Sequence, residues 1–314
     1  FMRRVRANLM TRQIRFGSIV FSLLLVSFLV SGFVQAPEGT GQSPFDGERA
    51  FRDLETVVGY GPRPAGSDNI ERTREYILAE LVAAGLEPIL DSFTAETPLG
   101  RIDMVNIRAV RAGSSSATIV VSGHYDTKLF DEPFVGANDG GSSTAVVLEL
   151  ARVSDGLELE HSLEFIFFDG EEAVIDWTAT DSVYGSRYDV GRRIEEGSLD
   201  SLKALVLVDM IGDRNLGILQ ESGSTDWLQA IIWDTAERLG YARNFEAGGF
   251  LVEDDHVPYL RAGIPAVDLI DFDYPEWHTT GDTLDKTSAA SLKIVGDVLF
   301  NALPAIDRHL VSNQ

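Results

Sequence analysis

The sequence predicts an α/β fold: a single domain whose doubly wound, mostly parallel, twisted sheet is flanked by helices. Three observations predict it. From residue 118 onward, short apolar runs alternate with segments of helical periodicity, the order of strand and crossover units. The runs at 118–122, 163–168, 202–208 and 266–270 are nearly continuous in apolar residues, as strands covered on both faces are. Each of the four is followed closely by acidic residues or histidine, at the sheet edge where open α/β folds bind ligands.

Taken in order, Arg3, Arg4, Arg6, Arg12 and Arg15 precede an uncharged run over 16–37 with small residues near Ala36, the layout of an export signal. The run is nearly long enough to span a bilayer. Residues 1–36 are therefore read as a signal peptide or a retained N-terminal membrane anchor, and the protein as exported, periplasmic or secreted. Residues 37–43 form a Pro/Gly/Ser linker and 44–314 one catalytic domain, expected to be monomeric. Residues 59–66 (GYGPRPAG) read as an ordered loop. Asp68, with Glu71 three positions on, predicts a capping box for a helix that carries Ile70, Ile77 and Leu81 on one face and ends near Gly85. Strands follow at 86–93, 104–110 and 118–122, then a helix at 142–153 and strands at 163–168 and 202–208. A helix at 227–239, a strand at 266–270 and a helix from 288 to about 303, with Pro304 blurring its end, complete the chain.

Composition narrows the function. The chain is 44% hydrophobic and 24% charged, enough apolar residue for a sizeable core. Its formal charge is −23, and because the first 37 residues hold five arginines and no acid, the remainder carries −28. Nucleic acid is excluded as a partner on that ground. The acidic surface suits either a substrate with a positive end, such as a peptide α-amine, or an adaptation to salt. With no cysteine, neither a disulfide nor a lipid-attached cysteine is available.

The chemistry centres on SLEFIFFDGEEAVIDW, from Ser162 to Trp177, where Asp169, Gly170, Glu171 and Glu172 follow a buried run directly. Unpaired carboxylates at the end of a buried strand are costly, so a cation is expected to face them. His124 with Asp126, Asp209, and the loop from Asp271 to His278 with Trp277 follow the other strands, and Asp139, just before a helix, is a further contribution. Asp139, Glu172 and His278 offer the O/O/N set of a catalytic zinc, and His124, Asp139 and Asp209 a second site sharing Asp139. Glu171 then remains as a general base. Asp254, Asp255 and His256 precede a short helix, with Asp254 or Asp255 either a plain N-cap or a site residue. Trp177 and Trp277 are candidate apolar walls, Trp227 and Trp233 helix packing. His161 and His309, in polar surroundings, are read as exposed and without a role.

These residues carry a resemblance over roughly 51–303. FTAETPLG, GHYDTKLF, FVGANDGGSSTAVVLELAR, FIFFDGEEAVIDW, DSVYGSR, LVLVDMIGD, EDDHVPYLRAGIP and FDYPEWHT resemble the zinc-dependent glutaminyl-peptide cyclotransferases, which share the fold of the M28 zinc aminopeptidases. The resemblance implies the zinc-aminopeptidase form of the α/β fold, with one zinc on Asp139, Glu172 and His278. It makes Glu171 the acid/base and Trp177 and Trp277 the pocket walls. Asp209 and Asp254 match carboxylates hydrogen-bonded beside Glu171, and a cis peptide is implied after Asp139. Asp268, standing where animal cyclotransferases carry a histidine on the last strand, is counted with the substrate site. The implied reaction converts N-terminal glutamine of peptide or protein chains to pyroglutamate with release of ammonia. The alternative is a di-zinc aminopeptidase, for which His124 and Asp209 complete the second site.

Overall fold

The computed structural model describes residues 43–313; the predicted export segment lies outside them. Helix α1 (Gly47–Gly59) opens at Asp46, whose carboxylate accepts the Arg49 N–H, and buries Ala50, Leu54, Val57 and Val58 at helical spacing. It was not among the predicted elements. Helix α2 (Asp68–Ala83) is capped by Ser67 rather than Asp68: the Ser67 hydroxyl accepts the Ile70 N–H, one residue earlier than the expected box. The chain continues through β1 (Ile89–Thr97), β2 (Gly100–Arg111), β3 (Thr118–His124), α3 (Gly141–Val153), β4 (Ser162–Phe168) and α4 (Tyr184–Glu196). It finishes with β5 (Leu202–Asp209), β6 (Ile218–Glu221), α5 (Asp226–Leu239), β7 (Phe245–Phe250), α6 (His256–Arg261), β8 (Ala266–Ile270) and α7 (Ala289–Ser312).

The main sheet runs β1-β2-β4-β3-β5-β8. β4, β3, β5 and β8 are parallel, and the β1–β2 hairpin joins antiparallel at one edge. Both faces are covered, which explains the unbroken apolar runs. Ile119, Val121, Phe165, Phe167, Val206, Val208, Val267 and Leu269 join one cluster with α1, α3, α5 and α7. Their alternates Val120, Ile166, Phe168, Leu205, Leu207 and Ala266 pack with Tyr259 of α6 on the other face. β6 and β7 form a separate two-stranded parallel sheet.

Helix α7 continues nine residues beyond the predicted end near 303, through Pro304, to Ser312. By length and composition it is apolar enough to cross a membrane, but Leu292, Val295, Val298, Leu299, Ala302, Leu303 and Ile306 are buried, so it is a core helix. Its Asp307 corrects the expectation for His161, which is buried rather than exposed: Asp307 Oδ1 lies 2.8 Å from both the His161 amide N and Nδ1. His309 is half-buried and stacks on Trp227 at 4.3 Å between centroids.

Candidate active site

The predicted chemistry, Asp268 excepted, gathers at the carboxyl edge of the parallel strands. Gly170, at φ +67°, turns the chain out of β4 where a side chain would strike the Met104 sulfur, and so delivers Glu171 and Glu172 to that edge. Asp139 enters from the loop before α3, His124 ends β3, Asp209 ends β5, and His278 comes from the loop after β8. Met210 (φ +47°) and His278 (φ +52°) are left-handed without being glycine, the kind of strain that collects at functional sites.

His278 Nε2 lies 3.3 Å from Glu172 Oε1 and 3.5 Å from Asp139 Oδ2. His124 Nε2 lies 3.1 Å from Asp209 Oδ1 and 3.3 Å from Asp139 Oδ1. Among the described residues these are the two groups of His, Asp and Glu atoms compact enough to hold a metal, and they share Asp139. They differ in how well they are satisfied. Asp139 Oδ2 and both Glu172 oxygens are buried with no hydrogen-bond donor, whereas His124 and Asp209 are hydrogen-bonded to one another. Buried oxygens converging without donors fit a bound cation, so a metal suits Asp139, Glu172 and His278.

Two carboxylates hold the ligands by their backbones. Asp126 accepts the N–H groups of Glu171 (3.1 Å) and Glu172 (3.2 Å). Asp282 accepts those of Asn138 (2.8 Å) and Asp139 (3.1 Å), as well as the Tyr274 hydroxyl. Arg63, from the predicted ordered loop, is fully buried and donates to the carbonyls of Tyr125, Val135 and Gly136, fixing the approach to Asp139. Burial pulls its guanidinium down to about 10, against the pull of Asp126, Asp282 and Asp139. Asp282, Arg63 and Lys128, whose Nζ lies 3.7 Å from Glu172 Oε2, were missed by the sequence reading.

Glu171 belongs to neither compact group. Its carboxylate opens to the cavity, and Oε2 lies 3.8 Å from His124 Nδ1. Burial pushes its proton affinity well above the ordinary carboxylate range; His124 opposes this, and Asp254, Glu172 and Asp255 add to it. Burial likewise pushes Asp209 up to about 7, against the His124 ring. The expected hydrogen bonds joining Asp209 and Asp254 to Glu171 are not found among the described residues: Asp209 Oδ1 is taken by His124 and the Met210 N–H, and Asp254 Oδ2 has no partner. The three are electrostatic neighbours instead.

The cavity, about 520 Å³, is lined by Glu171, Asp139, Asp209, Asp254 and His278, with Trp177, Trp277, Ile175 and Leu251 on its walls. Trp277 stacks on His278 at 4.4 Å. Asp268 must be corrected: it is fully buried in β8 and absent from the cavity lining, so it does not contact substrate there. Asp255, at the N-cap position of α6, makes no side-chain cap. The peptide after Asp139 is trans, and no cis bond occurs among the described residues. The turn is made instead by Gly140 at φ +78°, where a Cβ would lie 2.4 Å from the Asp126 carbonyl.

A mostly parallel α/β sheet with an aspartate, glutamate and histidine set at its carboxyl edge, beside a glutamate that faces a cavity, is the arrangement of an enzyme site able to hold a metal ion next to a proton-transferring carboxyl. Residues 106–303 match peptidase family M28. The chain is 31% identical over 318 residues to the glutaminyl-peptide cyclotransferase of Bos taurus, covering 84% of this chain and 82% of that one. It superposes on the glutaminyl cyclase of an Acidobacteriales bacterium with a TM-score of 0.81 and 35% identity, over 88% and 99% of the two chains. A structure titled as a leucine aminopeptidase precursor from Bacteroides thetaiotaomicron matches at TM-score 0.75 and 26% identity, over 82% and 96%. The protein belongs to peptidase family M28, and within it to the glutaminyl-peptide cyclotransferases.

Proposed function

We propose that the protein converts the N-terminal glutamine of peptide or protein chains to pyroglutamate with release of ammonia. The observation that carries this reading is the division of labour between adjacent glutamates: Glu172, whose donor-free Oε1 lies 3.3 Å from His278 Nε2, joins the compact group with Asp139 and His278, while Glu171 faces the cavity. Asp139, Glu172 and His278 would hold a zinc ion, which when bound would supply Lewis-acid polarisation of the substrate γ-carbonyl. Glu171 takes a proton from the α-amine as its nitrogen attacks the γ-carbonyl carbon, closing a five-membered ring. The same proton then leaves with the amide nitrogen as ammonia. A buried carboxyl of raised proton affinity suits this two-way transfer near neutral pH. Trp177 and Trp277 hold the glutamine folded and keep water away, which is the main task when nucleophile and electrophile share one molecule. One zinc is proposed, because His124 and Asp209 already satisfy each other. Export is proposed from the arginine-led apolar run at the N-terminus.

The second reading, a di-zinc aminopeptidase in which Glu171 activates water, draws on the sharing of Asp139 between two compact groups. Incubating zinc-loaded protein with a glutamine-initiated peptide and with a leucine anilide separates them. Ammonia from the first alone supports the cyclase; aromatic amine from the second moves the assignment to the peptidase.

A further inference from the structure

A second group of buried ionisable side chains lies at Glu221 (end of β6), Asp254, Asp255, His256 (start of α6) and Asp268 (β8). His256 stands between two of the carboxyls: Nε2 is 3.4 Å from Glu221 Oε2 and Nδ1 is 3.7 Å from Asp268 Oδ2. A metal does not explain the cluster, since the groups compact enough to hold one among the described residues are the two at the cavity. The explanation lies in the donors. Glu221 is built as an ionised acceptor, taking the Gly223 N–H on Oε1 and the Ser224 hydroxyl on Oε2, both at 2.8 Å. Asp268 has no donor to either oxygen, although Ser224 Oγ accepts its backbone N–H. A fully buried carboxylate in that position is uncompensated, whereas the protonated acid supplies its own donor. His256 Nδ1, 3.7 Å from Asp268 Oδ2 and without a hydrogen-bond partner of its own, is placed to accept that O–H, which would leave the ring's proton on Nε2, facing Glu221.

We propose that Glu221, His256 and Asp268 form a buried relay in which neutral His256, held as its Nε2–H tautomer, donates to ionised Glu221 and accepts from protonated Asp268, making His256 a positioning residue for Asp254. The proton affinities agree. Burial pushes Glu221 up, but His256, Gly223 and Ser224 bring it down to about 2. Burial, then Asp254, Asp209, Glu221 and Asp255, hold Asp268 well above the ordinary range. The link to catalysis is short, because the Asp254 carbonyl accepts the Val257 N–H in the first turn of α6, the turn that begins with His256. Fixing the ring between β6 and β8 fixes that turn, and with it the Asp254 carboxylate in the cavity lining beside Glu171. The catalytic part of this proposal rests on the cyclase reading; the relay itself does not.

The test is long-range ¹H–¹⁵N NMR on ¹⁵N-histidine-labelled protein at pH 7, with His256 assigned by its absence in His256→Gln. The expected spectrum shows a neutral ring protonated at Nε2. An imidazolium pattern or an Nδ1–H tautomer overturns the proposal, whatever the enzyme's activity. Asp268→Asn, which keeps a donor, should preserve that pattern, and Asp268→Ala should convert it to a tautomer mixture. An unchanged pattern in Asp268→Ala also overturns it. In kinetics, Glu221→Gln at wild-type zinc content should lower kcat about tenfold with KM within about twofold. An unchanged kcat there removes the positioning role for Asp254.

Discussion

Asp282 holds Asp139 by its backbone rather than its side chain, accepting the Asp139 N–H on Oδ2 at 3.1 Å while Oδ1 takes the preceding Asn138 N–H at 2.8 Å. The carboxylate of Asp139 is thereby left free for the ligand role proposed for it. Support of this kind orients a metal ligand without competing for it. Asp282→Ala should therefore weaken zinc binding by about 10- to 100-fold, read from competition with a chelator. Wild-type affinity in the variant would mean that the loop holds its own shape.

The adjacent glutamates should separate cleanly. Glu171→Gln should abolish turnover with zinc content near wild type, whereas Glu172→Gln should lose the metal, as measured by elemental analysis after dialysis. Reversed phenotypes would exchange the two roles.

His124→Ala tests the metal number. Because His124 is satisfied by Asp209 and Asp126, one equivalent of zinc should remain bound in the variant. Two equivalents in the wild type, with one lost in the variant, would instead identify the di-zinc enzyme.

Asp271 provides a pH signature away from the metal set. Burial, with Asp213 and Asp273 nearby, pushes it up to about 7, although the Gly217 N–H pulls the other way. The folded state thus holds this proton more tightly than the unfolded chain. The associated stability is full below the ordinary value of 3.8 and is lost as pH rises through about 7. Asn at this position has no proton to lose, so between pH 4 and 8 Asp271→Asn should gain about 2 kcal/mol on the wild type, a few degrees in Tm. A constant difference in Tm across that range would show that Asp271 ionises normally.

Arg63 donates to three carbonyls from a fully buried site, a fork that an ammonium cannot reproduce. Arg63→Lys should cost about 2–4 kcal/mol in denaturant unfolding, as carbonyls are left without donors. A loss below about 1 kcal/mol would show that Lys or water replaces the fork.

The sequence revealed what local pattern controls. Four buried strands and α3 announced themselves through apolar runs and periodicity, and Glu171, Glu172, His124 and Asp209 were visible because they end or closely follow those runs. Helix α1 carried an amphipathic pattern behind Asp46 but adjoined a Pro/Gly/Ser stretch that masked it. Helix α4 is mostly polar, and β7, with Gly248 and Gly249, has no strand alternation. His161 misled because Glu158 and Glu160 beside it suggest solvent, whereas its partner Asp307 arrives from α7, 146 positions away. Asp282 was hidden for the same reason: nothing near GDT shows that its carboxylate will meet an amide 144 positions earlier.

That long reach has a biosynthetic consequence. A chain made from its N-terminus exposes Asp139 and Glu172 well before His278 and Asp282 exist, so two-thirds of the ligand set waits for residues beyond β8. Until they arrive, the acidic edge has neither its histidine nor its backbone clasp. On the proposed ligand set, metal capture would therefore be the act of a nearly finished polypeptide, and zinc retention would report that synthesis and folding have reached their last quarter.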